Sequence, residues 1–377
     1  MEPSQKNRRL QSLDALRGFD MLWIIGFEGM VHGMSQATGW PVMNWLSAEL
    51  HHSPWNGFTI YDLIFPLFIF VSGVSMPFSF GKKLEGALIN IKTVKNGIYR
   101  SLIKRTIILI LLGMIVNKSQ HILVYDQMRF ASVLGRIALS CFFAALIYLN
   151  SGFRWQIFWF LIILFGYWAL MEWVPVPGFG AGVLTPEGNL ASYLDREYLP
   201  GKVLREVYDP EGLLSTIPAI GTALLGIFTG RFLRYSSPGL NHLKKSFIMI
   251  CSGFFFLGIG LLWNNVFPIN KNMWTSSFVI YTGGWSLLLL GLFYLIIDAW
   301  GLKKWSVFLV WIGTNSILIY LLSHGVFDFQ YTSDFLFSGL INLSPERWHF
   351  FWLNSGILLM QLVFLRYLYK KKLFWKI

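Results

Sequence analysis

Charge is scarce in this chain. Of its 377 residues only 13% are Asp, Glu, Lys or Arg, against about 25% in an ordinary soluble domain. Cysteine is scarcer still: Cys141 and Cys251 are the two present, and both fall in apolar stretches. That excludes a disulfide framework and a cysteine-based zinc site. No short-period repeat and no low-complexity tract is present, which removes solenoids, collagen and disordered tails. The glycines at 178, 180 and 182 do not fit the dinucleotide-binding fingerprint and follow no strand. What remains is apolar bulk: 55% hydrophobic residues, including 34 Phe and 17 Trp. A soluble protein of this length could not hide so much apolar surface, whereas a membrane protein has lipid as its solvent.

A spanning helix needs roughly 20 apolar residues. About ten such stretches can be read, at 13–32, 58–80, 101–117, 130–149, 154–173, 212–232, 246–264, 275–298, 305–323 and 349–368. They are too long and too continuously apolar for barrel strands. The expected fold is therefore an all-α polytopic membrane protein, a single transmembrane domain over residues 1–377. The net charge of +12 is spread in short basic runs between these stretches. With the N-terminus inside, Lys6 to Arg9, Lys82 to Arg105, Arg154, Arg231 to Lys245, Lys303, Lys304 and Arg366 to Lys376 all face the cytoplasm. That is the positive-inside pattern, with both termini cytoplasmic. Arg8 and Arg9 before an apolar run imitate a signal peptide, but Asp14, Arg17 and Asp20 interrupt the run, so it is read as a retained helix. The outer connections would be 33–57, 118–129, 174–211, 265–274 and 324–348. The longest, 174–211, is rich in Pro and Gly and reads as an ordered loop or lid. Gly226 and Gly230 form a GxxxG pair, expected to serve close helix packing.

Ionisable residues inside membrane segments are costly and point to function. Asp14, Arg17 and Asp20 share a helical face at i, i+3 spacing, and Glu28 lies deeper. Asp62 opens the second apolar stretch, where a helix dipole alone could account for it. Arg136 sits well inside the fourth and needs a carboxylate or an anionic ligand. His51 and His52 precede Ser53-Pro54-Trp55-Asn56-Gly57, a defined turn. Neutral imidazole is the usual general base near pH 7, so one of the pair is a catalytic candidate. No spacing signature supports a metal site. His32, His121, His324 and His349 read as interfacial polar residues.

Several segments together resemble the heparan-α-glucosaminide N-acetyltransferase family. They are Ser12 to Gly18, His52 to Pro66, Val133 to Ile137, Tyr208 to Ile217, Pro268 to Thr275 and Gly313 to Leu318, in that order and with compatible spacing. The resemblance implies a transmembrane enzyme that takes acetyl from acetyl-CoA on the cytoplasmic side and passes it to a glucosamine amine on the other. It places the active-site histidine just before the Trp-Asn-Gly turn, at His52 rather than His51. Asn56 and Asp62 would complete the catalytic group. Arg17 and Arg136 would line a channel for the pantetheine arm, with Lys104 and Arg105 on the CoA phosphates. Glu28, Trp55, Asn270, Lys271, Asn315 and Ser316 would contact the acceptor. Glu28 stands where relatives carry Asn, and the animal enzymes' large soluble N-terminal region is expected to be lacking. A small amino sugar is therefore the expected acceptor, in a multi-pass protein of a bacterial inner membrane, with no metal and a homodimer as the expected assembly. An amino-sugar permease suits the composition equally. It predicts inverted repeats, and none is convincing here. A structural scaffold would leave Glu28, Arg136 and the His52 loop unexplained.

Overall fold

A computed structural model describes residues 10–86, 90–117 and 125–375. The architecture is all helical, without a strand among the described residues. Its α-helices in chain order are α1 (Gln11–Leu22), α2 (Glu28–Thr38), α3 (Pro41–Glu49), α4 (Ile64–Glu85), α5 (Ile91–Val116), α6 (Val133–Asn150), α7 (Phe153–Trp173) and α8 (Leu190–Tyr198). Then follow α9 (Thr216–Arg234), α10 (His242–Trp263), α11 (Ser276–Tyr294), α12 (Val307–Thr314), α13 (Ser316–Leu321), α14 (Phe329–Leu343) and α15 (His349–Lys370). Short polar residues start several of them. The side chains of Asn90, Ser132, Asn189 and Asp328 each accept a main-chain N–H three residues on, which satisfies a donor that the first helical turn leaves orphaned.

Among the described residues seven helices are long and apolar enough to cross a membrane, and eight if the pair Lys304–Thr314 and Ser316–His324, bent by 65°, counts as one span. The protein is thus a multi-pass membrane protein. The other two expected segments are helical but more charged. The first carries Arg17, Asp20 and Glu28, and is broken by a wide turn at Trp23–Phe27, where Gly26 has a φ of 132°. Only glycine takes that conformation without strain. The third, α5, holds Arg100, Lys104 and Arg105 in one stretch. It nonetheless exposes Ile103, Ile107, Leu111 and Ile115, four residues apart and so on one helical face. That outward apolar stripe is what lipid requires.

The described chain falls into two compact units. One takes residues up to Leu50, Pro238–Cys251 and those from Leu287 on; the other takes His51–Ser237 and Ser252–Ser286. In the first unit, α1 and α12 pack backbone to backbone. A Cβ on Gly18 would lie 1.8 Å from the Leu309 carbonyl oxygen, and one on Gly313 1.9 Å from that of Asp14. In the second, α4 and α9 pair the same way. A Cβ on Gly226 would lie 2.1 Å from the Phe70 oxygen, and one on Gly230 2.4 Å from the Val74 oxygen. Close packing is therefore the role of the Gly226–Gly230 pair. Lipid gives helices no hydrophobic reason to associate, so small residues that let backbones touch carry the association. Segment 174–211 is ordered, holding a bridge between Val176 and Gly180 and helix α8. Its Val176, Leu190 and Ala191 share an apolar cluster with Tyr167, Met171, Phe267 and Met273.

Candidate active site

The second unit holds the conspicuous polar cluster, and it begins at the lead into α4. Residues 60–63 form a single turn capped by Thr59 and Asp62, a reciprocal capping box. Asp62 is fully buried. Its Oδ2 accepts the main-chain N–H groups of Ser53 and Thr59, each at 3.2 Å. Its Oδ1 lies 2.8 Å from Nδ1 of His52. A carboxylate can only accept, so Nδ1 carries the proton and Nε2 is left with its lone pair. The side chain of His52 is 52% exposed although its carboxylate partner is fully buried, so the ring is held from below and open above. The Tyr61 ring supports it, with centroids 4.7 Å apart.

A second turn, ahead of α11, brings the amine. Asn270 builds it: its Oδ1 accepts the Met273 N–H at 2.8 Å and its main-chain N–H donates to Thr275 Oγ1 at 3.1 Å. Asn264 Oδ1 accepts the Ile269 N–H at 2.8 Å. Two bonds join this turn to the Pro54–Gly57 turn. Gly57 N–H donates to the Ile269 carbonyl at 2.8 Å, and Asn270 Nδ2 to Asn56 Oδ1 at 3.0 Å. Gly57 has a φ of 113°, which requires glycine. Lys271 Nζ consequently stands 2.8 and 2.9 Å from Nδ1 and Nε2 of His52, and 3.5 Å from Asp62 Oδ1. Near-equal distances to the two ring nitrogens put Nζ against the face of the ring rather than on the lone pair of either one. Burial holds the Lys271 ammonium below the usual lysine range; Asp62 opposes that but does not reverse it.

Behind these turns lies a charged layer. Trp274, with a φ of 52°, is fully buried. Its indole N–H donates to Thr222 Oγ1 at 3.2 Å, and the Arg136 guanidinium lies 5.0 Å from a Trp274 ring centroid, in cation–π range. Arg136 Nη2 donates to Ser215 Oγ and to the Gly212 carbonyl, while its Nε and Nη1 find no hydrogen-bond partner among the described residues. Arg129 clamps Asp209 through two bonds, at 2.8 and 2.6 Å, and also bonds Glu211. Burial works against charge on both Arg129 and Asp209, but the clamp prevails, raising the arginine and lowering the aspartate. Among the described residues no arginine clamps Asp195, and burial pushes its carboxyl up to about 6, although the Leu213 N–H donates to it and the charge of Arg136 opposes the rise. Trp55 closes the side, its indole N–H donating to the Leu184 carbonyl at 2.8 Å and its ring edge-on to Tyr208.

The structure therefore brings His52, Asp62 and Lys271 into direct contact, with Asn56 bonded to Asn270 beside them, and puts Trp55 on the wall formed by 174–211. Lys104 and Arg105 lie exposed on α5 of the same unit. Arg17, Glu28, Asn315 and Ser316 belong to the other unit. There Arg17 lies 3.4 Å from Asp14, and Glu28 starts α2 after the wide turn. The Asn315 amide donates to the Leu373 carbonyl and accepts the Trp375 N–H. Both cysteines are free thiols. Among the described residues no three His, Cys, Asp or Glu side chains gather as a metal site. Arg129, Asp195 and Trp274 were not singled out by sequence reasoning. Their partners lie far along the chain, and the only hint was a lone arginine in a connection otherwise poor in basic residues.

A buried carboxylate, an imidazole oriented by it and an amine against the imidazole ring define a membrane protein equipped for acid–base or acyl chemistry. Comparison with known proteins agrees. The family described as "Heparan-alpha-glucosaminide N-acetyltransferase, catalytic" matches residues 9–263. The chain belongs to that family. The heparan-alpha-glucosaminide N-acetyltransferase of Mus musculus is 30% identical over 86% of this chain and 56% of its own length. That of Homo sapiens is 27% identical over 86% of this chain and 55% of its own. The chain thus spans about half the length of the curated relatives it matches.

Proposed function

We propose that the protein is a transmembrane N-acetyltransferase that moves acetyl from cytoplasmic acetyl-CoA to the amine of a glucosamine-like amino sugar on the outer side. The observation that carries this reading is the oriented imidazole: His52 Nδ1 bound to a buried Asp62, with a lysine amine against the ring, 2.8 and 2.9 Å from its two nitrogens. Family membership makes an acetyl transfer the reaction to fit to it. Acyl transfer to an amine needs a base for the ammonium proton and a nucleophile held at the thioester carbonyl. His52 supplies the base, or carries the acetyl in passing. Asp62 fixes the tautomer and steadies the ring when it becomes positive. Asn56, with Asn270, sets the turn that presents His52. Trp55, Asn270 and Lys271 are the proposed acceptor contacts.

Arg136 is proposed to line the path of the pantetheine arm. The unpartnered Nε and Nη1 of Arg136 suit an amide or thioester carbonyl there. Lys104 and Arg105 are proposed for the CoA phosphates, whose oxygens match such cations. The basic runs orient the chain with its termini in the cytoplasm of a bacterial cell, and a homodimer is the proposed assembly.

The test is purified protein in detergent with radiolabelled acetyl-CoA and a panel of amino sugars. Label appearing on glucosamine, and falling about 10²–10⁴-fold in His52→Ala, is the expected result. No label on any amine, together with sugar accumulating in vesicles, would establish a permease instead.

A further inference from the structure

We propose that Lys271 is itself an acetyl acceptor, modified on Nζ by the protein's own active site when no amino sugar is bound. The proposal rests on the acetyl-CoA reading above. Its ground is that Nζ is a primary amine, the same functional group as on the proposed acceptor, and already occupies the acceptor's place. It stands against the His52 ring, 2.8 and 2.9 Å from its two nitrogens, and 3.5 Å from the buried Asp62. The turn that carries Lys271 is fixed by Asn270, Thr275 and the Gly57 to Ile269 bond, so the amine is delivered rather than left to wander. Only the free amine attacks a carbonyl, and burial already disfavours the Lys271 ammonium.

The step balances simply. His52 Nε2 removes a proton from Nζ, and the Nζ lone pair adds to the thioester carbonyl carbon. The C–N bond forms, the C–S bond breaks, and the thiolate leaves and takes up the proton that Nζ lost. If acetyl first rests on Nε2, Nζ attacks that acyl-imidazole and the ring is the leaving group. The products are the same: Nε-acetyl-lysine and the CoA thiol. Holding base and nucleophile within hydrogen-bond distance replaces a bimolecular encounter by a nearly unimolecular one. The modified side chain is neutral and longer, so it fills the mouth above His52. Acceptor and Lys271 compete for the same nitrogen. The modification is therefore a brake that engages when acetyl-CoA is present without acceptor.

The experiment incubates the full chain in detergent with acetyl-CoA, with and without saturating glucosamine, and reads each lysine by peptide mass spectrometry. The exposed Lys202 and Lys304 report uncatalysed background. Without glucosamine, Lys271 gains one acetyl group well ahead of both. With glucosamine it is protected, and in His52→Gln its modification falls about 100-fold while the background is unchanged. Glucosamine protection in the native chain gives the answer even if His52→Gln misfolds. Active acetylation of glucosamine with Lys271 modified no faster than Lys202 overturns this proposal and leaves the enzyme reading standing. Rapid, His52-dependent acetylation of Lys271 with no glucosamine product upholds the proposal and removes the assigned acceptor. Neither product at all overturns both.

Discussion

Asp62 Oδ1 lies 2.8 Å from His52 Nδ1, and the same carboxylate caps the turn that leads into α4 through its other oxygen. One side chain thus links ring orientation to local folding, and two substitutions separate the roles. Asp62→Asn keeps the size and an acceptor oxygen but loses the charge that steadies an imidazolium. It is expected to lower acetyl transfer about 100-fold with an unchanged melting temperature. Asp62→Ala leaves the Ser53 and Thr59 donors unmet and is expected to cost a further about 1–3 kcal/mol of stability. Steady-state kinetics beside thermal melts in detergent check both.

Asp195 gives a signed pH prediction. Its carboxyl is raised to about 6 in the folded protein, against about 3.9 in an unfolded chain. A raised acid stabilises the fold while protonated. That contribution is complete below about pH 4 and is lost as pH rises through about 6. Asp195→Asn keeps an oxygen for the Leu213 N–H and has no charge to bury. It should raise the melting temperature at pH 8, with roughly half that gain at pH 5. Equal shifts at the two pH values would refute the assignment.

Breaking the Arg129 clamp should be severe. Arg129→Ala leaves Asp209, fully buried in its side chain, and Glu211 without their cation, and losing one partner of a buried pair costs about 3–5 kcal/mol. Removing the stranded charges as well, with Asp209→Asn and Glu211→Gln added, should restore part of that loss. The comparison is the melting temperature of the single and triple variants.

Gly226→Val tests the packing of α4 on α9. A Cβ there would meet the Phe70 carbonyl oxygen at 2.1 Å, and a branched side chain cannot be placed without parting the helices. The expected outcome is loss of the monodisperse peak in size-exclusion chromatography. Gly258→Ala, where a Cβ meets nothing within 4 Å, should leave that peak unchanged.

Much of the fold was legible because lipid imposes a blunt rule: long apolar runs become helices. The segments at 154–173 and 349–368 became α7 and α15 with small changes of boundary. The rule is silent on bends. Nothing in the run 13–32 announced the wide turn at Gly26, nor did 305–323 announce the 65° bend at Asn315. In the site, His52 and Asp62 were readable because a charge at the start of an apolar run and a histidine before a rigid turn stand out locally. Lys271 was readable only as a polar residue in an outer connection. Its contact with a ring 219 positions away comes from two turns meeting, which no local pattern encodes. Arg129 and Asp209 are 80 positions apart, and Asp195 is distinguished only by burial.

The Gly57 N–H to Ile269 carbonyl bond ties the two turns through peptide groups, not side chains. Together with the Asn270 to Asn56 bond it holds the two turns, and so His52 and Lys271, at a fixed spacing. Exchanging the proposed acceptor contacts is therefore expected to alter acceptor preference while the bond that joins the two turns stays in place.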